Sequence, residues 1–173
     1  CLFAGHRVAM LLFSDRIRGR CDLGRGAHQF PLLLKLLLAQ SVDAPTTRRK
    51  TEPVNHSNLG LCRDFLYANS NVFVISDFLQ ADGMRPQLQA IRSSVSSTSA
   101  LQVLADNEVD VPATGTARLQ DVESGLDRQI MMSDQAISNA RDALLAHSNA
   151  LREDCVSLGI RFTGCRSDQS WQQ

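Results

Sequence analysis

Three pairs of oxygen-bearing side chains stand where strands should end or helices begin: Ser14-Asp15, Ser57-Asn58 and Ser76-Asp77. In an open parallel sheet, ligands bind beyond the carboxyl ends of the strands. A carboxylate at such an end, with hydroxyls from neighbouring loops, suits Mg²⁺, a hard cation that takes oxygen ligands and keeps several waters. The same residue types also make ordinary turns and helix N-caps, because short polar side chains bond backbone N–H groups two or three residues further on. Spacing alone leaves both roles open for Asp77.

Other constellations are weaker. Gly24-Arg25-Gly26 lacks a third glycine and the strand–helix context of a dinucleotide fingerprint, and there is no GxxxxGK[ST], HExxH or GxSxG. The four histidines (6, 28, 56 and 147) are scattered. His56 is adjacent to Ser57, but sequence neighbours seldom orient as a nucleophile and its base, so a loop histidine is the plainer reading. Asp77 with Asp82-Gly83 superficially resembles a phosphotransfer aspartate, at a spacing wrong for paired catalytic carboxylates. Five cysteines (1, 21, 62, 155 and 165) form an odd set with no CxxC, which suits buried thiols in a reducing compartment better than a disulfide framework or zinc site. The basic triplet Arg48-Arg49-Lys50 reads as a solvated charge run.

The elements that would position these groups follow from periodicity. Arg7–Phe13 is a short apolar run bounded by Gly5 and Ser14-Asp15, as in a buried strand, and Ile17–Leu23 returns as a polar edge strand ending at Gly24. His28–Gln40 is a leucine-rich helix, and residues 41–55, with two prolines and little that is apolar, read as a mobile loop. Ser57–Tyr67 can form a helix with Leu59, Cys62, Phe65 and Leu66 on one side. Asn71–Ile75 is the strongest strand. Helix Arg85–Ser94, a serine-rich connector over 93–99, strand Ala100–Leu104 and a turn over 105–108 follow. Such alternation predicts a parallel sheet covered by helices. Thr116–Gln120 and Asp127–Met132 read as a β-hairpin around Asp121–Gly125. A long helix from Asp134 to about Leu158 carries Ile137, Leu144, Leu151 and Leu158 at heptad spacing, Gly159 stops it, and Ile160–Thr163 is a last strand. The heptad's companion positions, including His147 and Asp154, are not consistently apolar, so one stripe packing on the sheet is preferred over a coiled coil.

Composition excludes several classes. The chain has 173 residues, 18 basic against 18 acidic side chains and 43% apolar residues, which fits one globular domain rather than a disordered chain. Zero net charge, one Trp and one Tyr argue against nucleic-acid binding. The longest apolar run, Pro31–Ala39, is broken by Lys35 and falls short of the roughly 20 residues a bilayer demands. The start at Cys1, without a secretory pattern, reads as a fragment or processed form.

In order and spacing, these stretches resemble bacterial proteins with a von Willebrand factor A-like (vWA) domain, catalogued as domain of unknown function 58 and often encoded beside MoxR-type AAA+ ATPases. Val72–Phe78 is similar to the family's "vvliSDf" strand, Gly5–Asp15 to "gDrvgllxFsd" with His6 in place of aspartate, and Ser57-Asn58-Leu59 to "gTnL". Glu108–Gly115 is similar to "ExxLPxxG" and Leu119–Gly125 to "lxDxEtG". The resemblance covers roughly residues 5–168 and implies a Rossmann-like vWA fold, a mostly parallel sheet flanked by helices.

Such domains commonly hold Mg²⁺ or Mn²⁺ at a metal-ion-dependent adhesion site. By motif, Asp77 matches that site's later aspartate and Ser57 its threonine. The site's Asp-x-Ser-x-Ser run is expected ahead of residue 1, and Ala105 stands where many relatives have aspartate. The resemblance therefore implies a single partial domain over 1–173 with an incomplete metal site. It would lack the first central strand, so the strands at Val8–Phe13 and Val72–Ile75 either pair directly or leave apolar surface open. The implied function is a non-enzymatic protein-interaction module, an adaptor between a MoxR-type AAA+ ATPase and a client protein. It would have no nucleic-acid partner, no membrane segment within this chain and a cytoplasmic location, with any membrane anchor upstream. The alternative is a Mg²⁺-dependent phosphoryl-transfer hydrolase using Asp77.

Overall fold

The computed structural model describes residues 2–14, 16–42, 58–79, 84–109, 115–120 and 127–168. Asp15, Ser57, most of the 41–55 loop and the Asp121–Gly125 turn lie outside the described residues. The chain forms two compact units, Cys1–Phe65 and Leu66–Gln173.

In the first unit, β1 (Arg7–Phe13) and β2 (Ile17–Arg25) form an antiparallel hairpin, and α1 spans Gln29–Val42. β2 runs two residues beyond the expected Leu23, because Arg7 and Val8 pair with Arg25 and Gly24. The register shifts between Val8 and Met10, as at a β-bulge. Gln29 closes this irregularity. Its side chain is 3% exposed, and its amide donates to Val8 O at 3.1 Å and to Asp22 O at 2.7 Å. One glutamine thus satisfies a carbonyl on each strand where the ladder is disturbed.

Residues Asn58–Phe65, within the expected Ser57–Tyr67 helix, form a 3₁₀ helix. The reason lies in the spacing: Leu59, Cys62 and Phe65 recur every three residues, the period of a 3₁₀ turn, and Leu59 and Cys62 are buried. α1 is apolar on most sides. Leu33 is buried, whereas Phe30, Leu32, Leu34, Leu37 and Leu38 are exposed.

The second unit is a mixed α/β structure. Strands β3 (Asn71–Ser76), β4 (Ser97–Leu104) and β7 (Arg161–Arg166) form a parallel sheet in the order β3-β4-β7. Helices α2 (Arg85–Arg92) and α4 (Asp134–Ser157) flank it, α3 (Asp106–Val109) is a single turn, and β5 (Gly115–Gln120) pairs antiparallel with β6 (Asp127–Met132). This arrangement is compatible with a Rossmann-like fold.

β4 begins three residues before the expected Ala100, inside the serine cluster. The backbone N–H of Ser96 donates to Ser70 O, and Ser97 Oγ bonds Asn71 Oδ1 at 2.6 Å, so the serines' groups are drawn into the ladder instead of a loop. β7 likewise extends to Arg166, which forms an ion pair with Asp106. The expected turn at 105–108 is α3. There Glu108 reaches back, its carboxylate accepting from Ala105 N–H at 2.7 Å.

α4 starts where expected. Ser133 caps it, Oγ accepting from Ala136 N–H at 3.1 Å, and Gly159, at φ +66°, ends it. Its apolar stripe deepens towards the C-terminus, where Leu151 and Cys155 are buried. Arg85 of α2 donates to Asp154 Oδ1 and Ser157 Oγ, joining the helices. Among the described residues β1 pairs only with β2 and β3 only with β4, so each has one open edge. No described helix is long and apolar enough to cross a membrane.

Two outcomes follow from this packing. A Cβ on Gly24 would lie 2.3 Å from Gln29 Oε1 and 2.6 Å from its Cδ, so Gly24→Ala must push the Gln29 amide off Val8 and Asp22. Stability by urea unfolding should fall by about 1 kcal/mol, the cost of losing two part-buried hydrogen bonds; an unchanged midpoint would contradict this role of Gln29. Burial, and then the neighbouring Asp154 charge, push the Cys155 thiol up to about 11. The native state then holds its proton where the unfolded chain has lost it. The stability from the protonated thiol is complete below pH 9 and drains away as pH rises from about 9 through 11. Cys155→Ala should flatten that part of the profile, and an equally steep decline in the variant would exclude Cys155 as its source.

Candidate functional site

The described part of the candidate site is the turn that leaves β3. Val72, Phe73, Val74 and Ile75 are β-branched or aromatic residues suited to a pleated strand, and β3 pairs in parallel with β4 from Asn71↔Ser97 to Ser76↔Gln102. The chain then passes through Asp77 and turns at Phe78, which has φ +56°. That left-handed conformation is uncommon for a bulky L-residue and persists only where its surroundings hold it.

Here the holding groups can be named. The Phe78 side chain is 0% exposed. Its N–H donates to Ser76 Oγ at 3.1 Å, and the Leu79 N–H donates to Asp77 Oδ1 at 3.2 Å. Ser76 Oγ also bonds Asp77 Oδ1 at 3.3 Å. The two carbonyls of the turn are met by side chains from elsewhere in the unit. Gln102 Nε2, on β4, donates to Asp77 O at 2.9 Å. His147 Nε2, on α4, lies 2.6 Å from Phe78 O. A carbonyl only accepts, so this ring carries a proton on Nε2.

Asp77 is exposed, and only its Oδ1 is bonded among the described residues. Oδ2 is left for solvent or a ligand. Among the described residues Asp77 caps no helix: α2 begins at Arg85, with Met84 at its N-cap. Of the two roles open for Ser76-Asp77, the pair makes the turn and presents one carboxylate oxygen at the carboxyl end of a parallel strand. The same rim carries Asp106, just beyond β4, and Arg166, the last residue of β7, which pairs with both Asp106 and Asp168.

The other candidate pairs fare differently. Ser14 lies in the β1–β2 turn, where Oγ accepts from Arg18 Nε at 2.7 Å, and Asp15 lies outside the described residues. Ser57, the expected companion of Asp77, lies outside them too. Among the described residues no three or more of His, Cys, Asp and Glu gather as a metal would require. Asp77 by itself is short of the near-octahedral oxygen set of Mg²⁺. Gln102 and His147 were not singled out as site residues by sequence. The available signals were a lone polar residue inside the apolar run Ala100–Leu104 and a polar position beside the α4 stripe.

The comparisons with known proteins are few. An uncharacterised protein of Mycobacterium avium, MAV169, is 30% identical over 98 residues, a match covering 57% of this chain and 57% of that protein. No solved structure matches. The family profile described as "Protein of unknown function DUF58" matches residues 2–151, a span from β1 through the Asp77 turn to most of α4, and the chain belongs to that family.

Proposed function

We propose that this chain is a non-enzymatic protein-interaction module of the vWA type, and that the protein serves as an adaptor between a MoxR-type AAA+ ATPase and a client protein during assembly or remodelling. The observation that supports it is the exposed Asp77 carboxylate, on a turn at the carboxyl end of β3 whose Phe78 and Leu79 N–H groups and Asp77 and Phe78 carbonyls are bonded. A rigidly aimed carboxylate at that rim suits coordination. In this reading Asp77 and Ser57 provide part of a Mg²⁺ or Mn²⁺ site, further oxygen ligands complete the protein's share, and a carboxylate of the partner closes the shell. The bound cation would supply charge for adhesion, and no bond is broken.

The test is association of the full-length protein with a MoxR-type AAA+ ATPase from the same organism, measured with ATP and with ADP in the presence of Mg²⁺. Nucleotide-dependent binding is expected, weakened about tenfold or more by Asp77→Asn, a loss of about 1.4 kcal/mol. Binding indifferent to nucleotide and to Asp77→Asn would overturn the reading. Mg²⁺-dependent phosphatase activity abolished by Asp77→Asn would replace it with the hydrolase.

A further inference from the structure

The Asp77 turn is the place where three separate elements of the second unit meet through polar groups. β3 supplies the backbone, β4 supplies Gln102 and α4 supplies His147. Gln102 is 2% exposed, so its amide is committed to this contact. Gln102 takes the carbonyl of Asp77 itself and His147 takes the carbonyl of the next residue. The peptide planes on the C-terminal side of the carboxylate are thereby fixed from two directions. Ser76 Oγ and Asp77 Oδ1 take the next two N–H groups. Backbone and side chain then have one joint arrangement, which sends Oδ1 inward to the turn and leaves Oδ2 outside.

We infer that Gln102 and His147 are positioning residues for Asp77, and that His147 couples the direction of its carboxylate to the seating of α4. α4 runs 24 residues, and its C-terminal part is anchored by Leu151 and Cys155 in the core and by Arg85 bonded to Asp154 and Ser157. His147 lies one helical turn before Leu151, at the margin of that anchored part. A shift of α4 along its axis by a fraction of a turn removes the donor from Phe78 O. The left-handed Phe78 then loses one of its restraints, and Asp77 loses its fixed aim. The inference deepens the interaction reading and rests on it for what the carboxylate binds, although not for how it is held.

The test is residue-resolved amide hydrogen exchange on the full chain, comparing the unsubstituted protein with Gln102→Leu, His147→Leu and His147→Gln. Loss of either donor should speed exchange at Phe78 and Leu79 about tenfold or more, while Thr98–Leu101 in β4 stay within about threefold. His147→Gln keeps an N–H donor and should restore most of the protection. If His147→Leu does not fold, Gln102→Leu and His147→Gln carry the same comparison. Equal acceleration throughout β3 and β4, or none at Phe78 and Leu79, overturns the positioning role. Titration with Mn²⁺ separates this inference from the functional reading. Exchange that changes as expected in a protein that binds no Mn²⁺ upholds the positioning and removes the metal reading. Mn²⁺ binding left equal in all variants overturns the positioning alone.

Discussion

Two consecutive carbonyls at the end of β3 govern the second unit. Once the chain leaves the ladder at Ser76, Asp77 O and Phe78 O have no strand partner, and polar backbone groups partly shielded from water are costly to leave unbonded. Gln102 and His147 answer that demand. Their positions require β4 to lie beside β3 in its observed register and α4 to pass over the turn. The buried Phe78 side chain, at 0% exposure, locks the same point from the apolar side. An exposed carboxylate at the carboxyl end of a parallel strand is the product of these constraints.

The sheet itself is unevenly covered. Parallel sheets are normally packed on both faces. Here Val74, Thr98, Ala100 and Gln102 are buried, while Phe73 and Ile75, on the alternate face of β3, are 63% and 59% exposed. β3 also keeps an open edge among the described residues. An open edge beside apolar side chains is a physical invitation to a further element or partner. In the first unit α1 shows a similar excess, with five large apolar side chains exposed and Leu33 alone of its leucines buried.

Much of the architecture was legible because it rests on local chemistry. The strands at Arg7–Phe13 and Asn71–Ser76, the antiparallel pair Gly115–Gln120 and Asp127–Met132 and the capped helix ending at Gly159 carry periodicity and stop signals that act over a few residues. The departures arise where non-local bonds decide. Serines 97 and 99 read as connector residues until Asn71 and Ser70 draw that stretch into the ladder. Asp77 could be named from its place after a strand, but Gln102 and His147 could not. Their role depends on contacts 25 and 69 residues away in sequence.

The Asp77 turn is closed by β4 and α4. The most direct measurement is solution NMR of the chain, looking for through-space contacts and through-hydrogen-bond couplings at Asp77 and Phe78. A coupling from the Gln102 side-chain amide to the Asp77 carbonyl carbon, together with a His147 ring in its Nε2–H form close to Phe78, is the predicted result. A solvent-averaged Gln102 amide, with His147 carrying its single proton on Nδ1, would contradict it.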